Sequence, residues 1–224
     1  MTQLPEAVEL ETGSQPVASI IWLHGLGADG HDFEPIVPEL RLPAELPVRF
    51  IFPHAPVRRV TLNGGRPMRA WFDIVQIGLH QPRDRAGMDA SRATLQSLIA
   101  RENQRGIAST RIVVAGFSQG GAVALYTGLQ QAERLAGIMA LSTYLPVGEG
   151  LDVTLSPANA HTPIFYGHGT QDQVVPLQLG EHTRNWLTQQ GCPVTWHTYP
   201  MPHSVIPQEI VHIRAWLLSI LKSS

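Results

Sequence analysis

Arg111-Ile112-Val113-Val114-Ala115-Gly116-Phe117-Ser118-Gln119-Gly120-Gly121 is an apolar, β-branched run that feeds a G-x-S-x-G pentapeptide and then a helix-compatible segment. The pattern predicts a strand, a tight turn and a helix with Ser118 at the turn. In such a nucleophile elbow the serine takes a strained backbone conformation, and glycines two residues either side keep neighbouring side chains from colliding. The pentapeptide alone is a weak signal. Its ordinary alternative is close strand-helix packing through Gly116 and Gly120, with Ser118 as a helix cap. Context favours the elbow, because Ala122, Val123, Leu125, Tyr126 and Leu129 recur behind it at helical spacing.

Further apolar runs lie at residues 17–23, 48–53, 135–141, 163–166 and 194–199, and helix-length segments separate most of them. Met88, Leu95, Leu98 and Ile99 mark one helix, and Leu177, Leu179, Trp186 and Leu187 mark another less regularly. Ile210, Ile213, Trp216, Leu217, Ile220 and Leu221 form a clear apolar stripe on the last. This alternation predicts an α/β fold, a mostly parallel central sheet with helices on both faces. Residues 1–224 read as a single domain, since no linker or shift in composition divides them. One stretch, at about 58–85, breaks the alternation by mixing Gly64, Gly65, Pro67 and Pro82 with Trp71, Phe72, Ile74, Val75, Ile77 and Leu79. It is either an excursion over the site, as a lid or acyl-chain wall, or a short edge hairpin packed on the core.

Composition excludes several classes of function. Charged residues are 15% of the chain and the net charge is -2, so no basic surface for nucleic acid or anionic membrane is expected. Residues 1–15 carry Glu6, Glu9 and Glu11 with no apolar run, unlike a signal peptide, and no other run is long enough to insert stably in a membrane. A cytoplasmic location is expected. The single cysteine, Cys192, lies between Gly191 and Pro193 at the start of a strand-like run and reads as an inert thiol.

In sheets of this kind, ligands bind beyond the carboxyl ends of the strands. A serine there needs a base, and the base needs an orienting acid; in this strand-turn-helix arrangement they follow in the order Ser, Asp, His. Asp172 and His203 satisfy both conditions, each in a loop after a strand-like run and just before a helix. The ordinary role of Asp172 would be a turn or cap residue. His24 and His168 are rivals for the base, but each sits in a His-Gly pair at a strand end and reads as a loop brace. His161, His182 and His212 have no comparable setting. Acyl transfer also needs donors for an oxyanion: the backbone amide of Gln119, at the start of the helix, and that of Leu26 in the glycine-bearing loop 24–30. No phosphate-binding glycine motif, H-E-x-x-H or paired cysteine occurs, so a mechanism without metal or cofactor is expected.

These residues belong to motifs that resemble the phospholipase/carboxylesterase family, the bacterial carboxylesterases and acyl-protein thioesterases of the α/β-hydrolase fold. The carriers are Leu23 to Gly30, Phe52-Pro53-His54-Ala55-Pro56, Arg69-Ala70-Trp71-Phe72-Asp73, Ala115 to Gly121, His168-Gly169 with Asp172 and Val174-Val175-Pro176, and Tyr199-Pro200-Met201 with His203-Ser204. The resemblance implies Ser118 as nucleophile, His203 as base, Asp172 as acid, and the amides of Leu26 and Gln119 as oxyanion hole. Trp71, Leu26 and Leu145 would line an acyl pocket. The Arg69 to Asp73 stretch looks more like the bacterial carboxylesterase branch. The implied reaction is hydrolysis of carboxylic esters of short to medium acyl chain through an acyl-enzyme. The alternatives are an acyl-protein thioesterase or lysophospholipase with the same triad, and an acyl-binding protein of this fold without turnover. The implied partners are a small-molecule ester, lipid-like esters included, and a second copy of the chain.

Overall fold

A computed structural model describes residues 4–79, 84–145 and 152–222. Seven strands form the main sheet: β1 (Ala7–Glu11), β2 (Ala18–Leu23), β3 (Val48–Pro53), β6 (Ile112–Phe117), β7 (Gly137–Leu141), β8 (Ile164–Gly169) and β9 (Val194–Tyr199), in the order β1-β3-β2-β6-β7-β8-β9. Only the β1–β3 pairing is antiparallel. The six strands from β2 onward coincide with the six apolar runs, displaced by at most a few residues at their ends. For β2, β3 and β6 to β8 this legibility has a physical cause, since strands covered on both faces must be apolar almost throughout, whereas β9 is a half-buried edge strand. Strand β1 escapes the pattern because it is an edge strand whose Glu9 and Glu11 alternate with Val8 and Leu10.

The side-chain period of two divides the interior. Ile21, Leu23, Val114, Ile138, Ala140 and Tyr166 face one cluster. It is closed by helices α2 (Arg85–Gln104), α3 (Gln119–Gly128) and α4 (Leu177–Gln189). Ile20, Trp22, Val113, Ala115, Met139 and Phe165 face the other, covered by the short α1 (Ile36–Glu39) and by α5 (Pro207–Leu221) through Ile213, Trp216 and Leu217. Each fully buried aliphatic or aromatic side chain contributes about 1.5–3 kcal/mol. A polar clasp adds to this: the buried Glu102 of α2 accepts from Ser19 Oγ and Arg49 Nη1 at 2.7 and 2.8 Å, tying the helix to β2 and β3.

From β2 the chain builds outward to β3, and from β6 it builds in the opposite direction. Order therefore reverses between β2 and β6, where Leu23 pairs with Gly116, and the loops leaving these two strands open at one crevice. The 58–85 stretch resolves into a separate antiparallel hairpin, β4 (Val57–Val60) with β5 (Arg66–Arg69), whose turn includes Gly64 and Gly65 at φ 68° and 72°. It is not an edge of the main sheet. Beyond it Trp71 and Phe72 enter the core, and Asp73 accepts from Thr61 N and Oγ1 at 2.7 and 2.6 Å. Residues 80–83 of that stretch lie outside the described residues.

Candidate active site

Ser118 has φ 53° and ψ -118°, a conformation costly for a residue with a Cβ. Its surroundings enforce it. A Cβ on Gly116 would overlap the backbone of Gly120, and one on Gly120 would overlap the carbonyls of Leu23 and His24. Both glycines are thus required by the approach of α3 to β2 and β6. The Ser118 amide donates to Leu141 O at 2.9 Å, and its carbonyl accepts from Thr143 Oγ1 at 2.6 Å. The bend is therefore anchored on both sides, to the end of β7 and to the loop just after it.

Asp172 and His203, 31 residues apart, meet through Asp172 Oδ2 and His203 Nδ1 at 2.6 Å. The other carboxylate oxygen accepts from the Val174 and Val175 amides at 2.9 and 2.8 Å. Asp172 thus serves as a turn residue and as the partner of the histidine at once. Its side chain is wholly buried, while that of His203 keeps 16% exposure, enough to meet a substrate. With Nδ1–H donated to the carboxylate, Nε2 is left as the proton acceptor. The His203 ring packs on Phe117, the residue before Ser118, at a centroid separation of 4.6 Å. The three side chains named from chain order are therefore gathered at one end of the sheet.

The rival histidines have other engagements. His24 Nδ1 bonds Gly25 O at 2.7 Å while Nε2 accepts from Ala55 N at 3.0 Å, and burial lowers its pKa. His168 lies within β8, bonds Val175 O through Nε2 at 2.8 Å, and is likewise shifted down by burial. Both are neutral braces. Cys192 is buried and its thiol pKa is raised by that burial, which disfavours the thiolate.

Gln119 is the first residue of α3, so its amide has no acceptor within the helix. Leu26 occupies the second position of a turn closed by Ala28 N to Gly25 O at 3.3 Å, with Gly27 at φ 78°. In such a turn the amide of the second residue is not consumed by the turn itself. A Cβ on Gly25 would lie 3.6 Å from that of Ser118, which puts this loop directly against the elbow. Both candidate donors are thus in the same neighbourhood as Ser118.

Of the three residues expected to line an acyl pocket, only Leu26 is partly exposed. Trp71 and Leu145 are 1% and 0% exposed. Trp71 is packed in the core with its Nε1–H donated to His24 O at 2.9 Å, and the Leu145 amide donates to Thr183 Oγ1. In this structure they support the site from behind rather than form an open wall. The side chain of Gln119 has a role not foreseen, as a double hydrogen-bond link to Trp71 and Phe72. No sequence signal marks it, because its partners lie 47 and 48 residues away. Among the described residues no three His, Cys, Asp or Glu side chains converge as a metal site requires, and no helix is long and apolar enough to cross a membrane.

The sequence pattern of the phospholipase/carboxylesterase family matches residues 6–221. The chain is 38% identical over 225 residues to acyl-protein thioesterase 1 of Mycosarcoma maydis, with 94% of each covered. Among solved structures it is similar to acyl-protein thioesterase 2 of Zea mays, with a TM-score of 0.82 and 29% identity over 97% of this chain and 99% of that one. It is also similar to esterase PE8, with a TM-score of 0.80 and 28% identity over 98% and 100% of the two chains.

Proposed function

The chain belongs to the phospholipase/carboxylesterase family of α/β-hydrolases, a family of serine hydrolases, and from this we propose that it cleaves acyl thioesters and carboxylic esters through an acyl-enzyme on Ser118. The observation that carries the reading is the His203–Asp172 pair packed against the residue that precedes a strained serine. Ser118 Oγ attacks the carbonyl carbon as His203 Nε2 takes its proton; the tetrahedral oxyanion is held by the Leu26 and Gln119 amides. Collapse expels the alcohol or thiol, which receives the proton from His203. Water then repeats the sequence and frees the acid. Losing one oxyanion donor would cost about 3–4 kcal/mol of transition-state stabilisation.

We rank the thioesterase reading ahead of a plain carboxylesterase, since relatives covering over 90% of the chain are named acyl-protein thioesterase 1. Competition between an oxygen ester and a thioester of the same acyl group tests this. Equal or lower kcat/KM on the thioester, after allowance for its intrinsic reactivity, would return the carboxylesterase reading to first place. Labelling by a fluorophosphonate that maps to Ser118 and depends on His203 tests the mechanism common to both. A folded protein that takes no label would instead favour acyl binding without turnover. We further propose a cytoplasmic enzyme acting on lipid-like esters as a homodimer. Light scattering that shows only monomer at micromolar concentration would remove the dimer, and fractionation would test the location.

A further inference from the structure

The Phe117 ring stands between two others, Phe33 at 5.5 Å and His203 at 4.6 Å between centroids. These rings form part of a groove of about 430 Å³ that also takes in Ile36, Val205 and Ile210, between α1 and the start of α5. Its surface is thus more apolar than polar, with one wall supplied by His203 and the residues just after it. Two carboxylates, Asp32 and Glu39, stand along it. Neither makes an ion pair among the described residues. Arg41 and Arg214 line a neighbouring trough that shares Glu39 and Ile210 with the groove, but they do not line the groove itself. Asp32, exposed at the mouth of the groove, is consequently the less compensated of the two acids; partial desolvation and the nearby carboxylate of Asp29 raise its pKa.

The chemistry of the proposed hydrolysis says which half of the substrate belongs here. His203 Nδ1 is held by Asp172, so Nε2 must hand the proton to the departing oxygen or sulfur. The leaving group therefore departs alongside the His203 ring, and the groove is a space that ring borders. Resting on the hydrolase reading above, we propose that this groove receives the leaving group of the substrate and that Asp32, assisted by Glu39, selects leaving groups that join an apolar body to a positive charge. The apolar surface buries the body, and the exposed carboxylates Asp32 and Glu39 attract the cation across a solvent-screened gap.

The test uses two butanoyl thioesters that differ only in charge, one of thiocholine and one of 3,3-dimethylbutane-1-thiol, whose tert-butyl group replaces the trimethylammonium. The quantity read is the ratio of kcat/KM on the charged thioester to that on the neutral one. Comparing this ratio between variants cancels the intrinsic reactivity of the two leaving groups. The ratio should fall about three- to fivefold in Asp32→Asn, and further in Asp32→Asn/Glu39→Gln. In the wild type it should also fall as salt is raised from about 0.05 to 0.5 M. A ratio unchanged in the double variant, in protein that turns over both thioesters and labels at Ser118, overturns the groove assignment alone. Folded wild-type protein that neither labels nor cleaves either thioester overturns the hydrolase reading and this subsite with it.

Discussion

The side chain of Gln119 bridges Trp71 and Phe72: Oε1 accepts the Trp71 amide at 2.8 Å and Nε2 donates to the Phe72 carbonyl at 2.7 Å. The residue that follows Ser118 thus fastens the segment after the β4–β5 hairpin to the elbow. Both bonds are buried. Gln119→Ala would leave an amide and a carbonyl unpaired, at about 1–3 kcal/mol each. The expected outcome is a loss of roughly 2–4 kcal/mol in urea unfolding, with kcat/KM reduced about 10- to 100-fold although the Gln119 backbone donor is retained. Unaltered unfolding would show that the link does not hold the segment.

Ser118 combines chemistry and strain, and two substitutions separate them. Ser118→Ala should lower turnover by roughly four to six orders of magnitude. Ser118→Gly should be equally inactive yet more stable, by about 1 kcal/mol, because glycine adopts φ 53° and ψ -118° without the penalty of a Cβ. Chemical denaturation of the two inactive proteins side by side checks this. A glycine variant no more stable than the alanine variant would mean that the elbow stores no strain.

Asp172 holds a loop with one oxygen and a histidine with the other. Asp172→Asn can keep the amide acceptor for Val174 and Val175 but turns an NH2 group toward His203 Nδ1. That favours the tautomer protonated on Nε2, which has no lone pair there to take the Ser118 proton. Turnover should fall by about 10⁴ with little change in stability, whereas Asp172→Ala should lose both turnover and roughly 1–3 kcal/mol. Equal stability of the two variants would contradict the double role.

Glu209, in the first turn of α5, is fully buried, and neither carboxyl oxygen has a hydrogen-bond partner among the described residues. Burial pushes its pKa up to about 8, and a Cβ on Gly167 would overlap its Oε1. Below about pH 4.5 the acid is protonated in folded and unfolded chains alike, and its contribution to stability is fully present. Between there and pH 8 the unfolded chain releases the proton while the folded one retains it, so this contribution is lost as pH rises. Compared with Glu209→Gln, which does not titrate, the wild type should lose on the order of 4 kcal/mol between pH 5 and pH 9. Parallel urea curves at pH 5, 7 and 9 measure it, and equal pH profiles would show that Glu209 is ionised or solvated in the fold.

Chain order and local pattern were enough to name Ser118, Asp172 and His203 and to expect the α/β sheet. Two-sided burial makes β2, β3 and β6 to β8 read as apolar runs, and the sterics of a strand-to-helix bend demand Gly116 and Gly120 within four residues of each other. Such rules act over a few positions, so one sequence displays them. The final place of a side chain does not follow from them. Trp71, expected beside the substrate, is sealed in the core under the His24 carbonyl. Gln119, expected only for its backbone, reaches across 47 residues to Phe72. Strand β1 shows its partner only once folded, in a register that sets Val8 opposite Phe52. Glu209 reads locally as an acid suited to a helix N-terminus, but packing of α5 against β8 leaves it in an apolar interior. In each case the outcome depended on which distant segment the folded sheet brought alongside, and on whether water remained there after it closed.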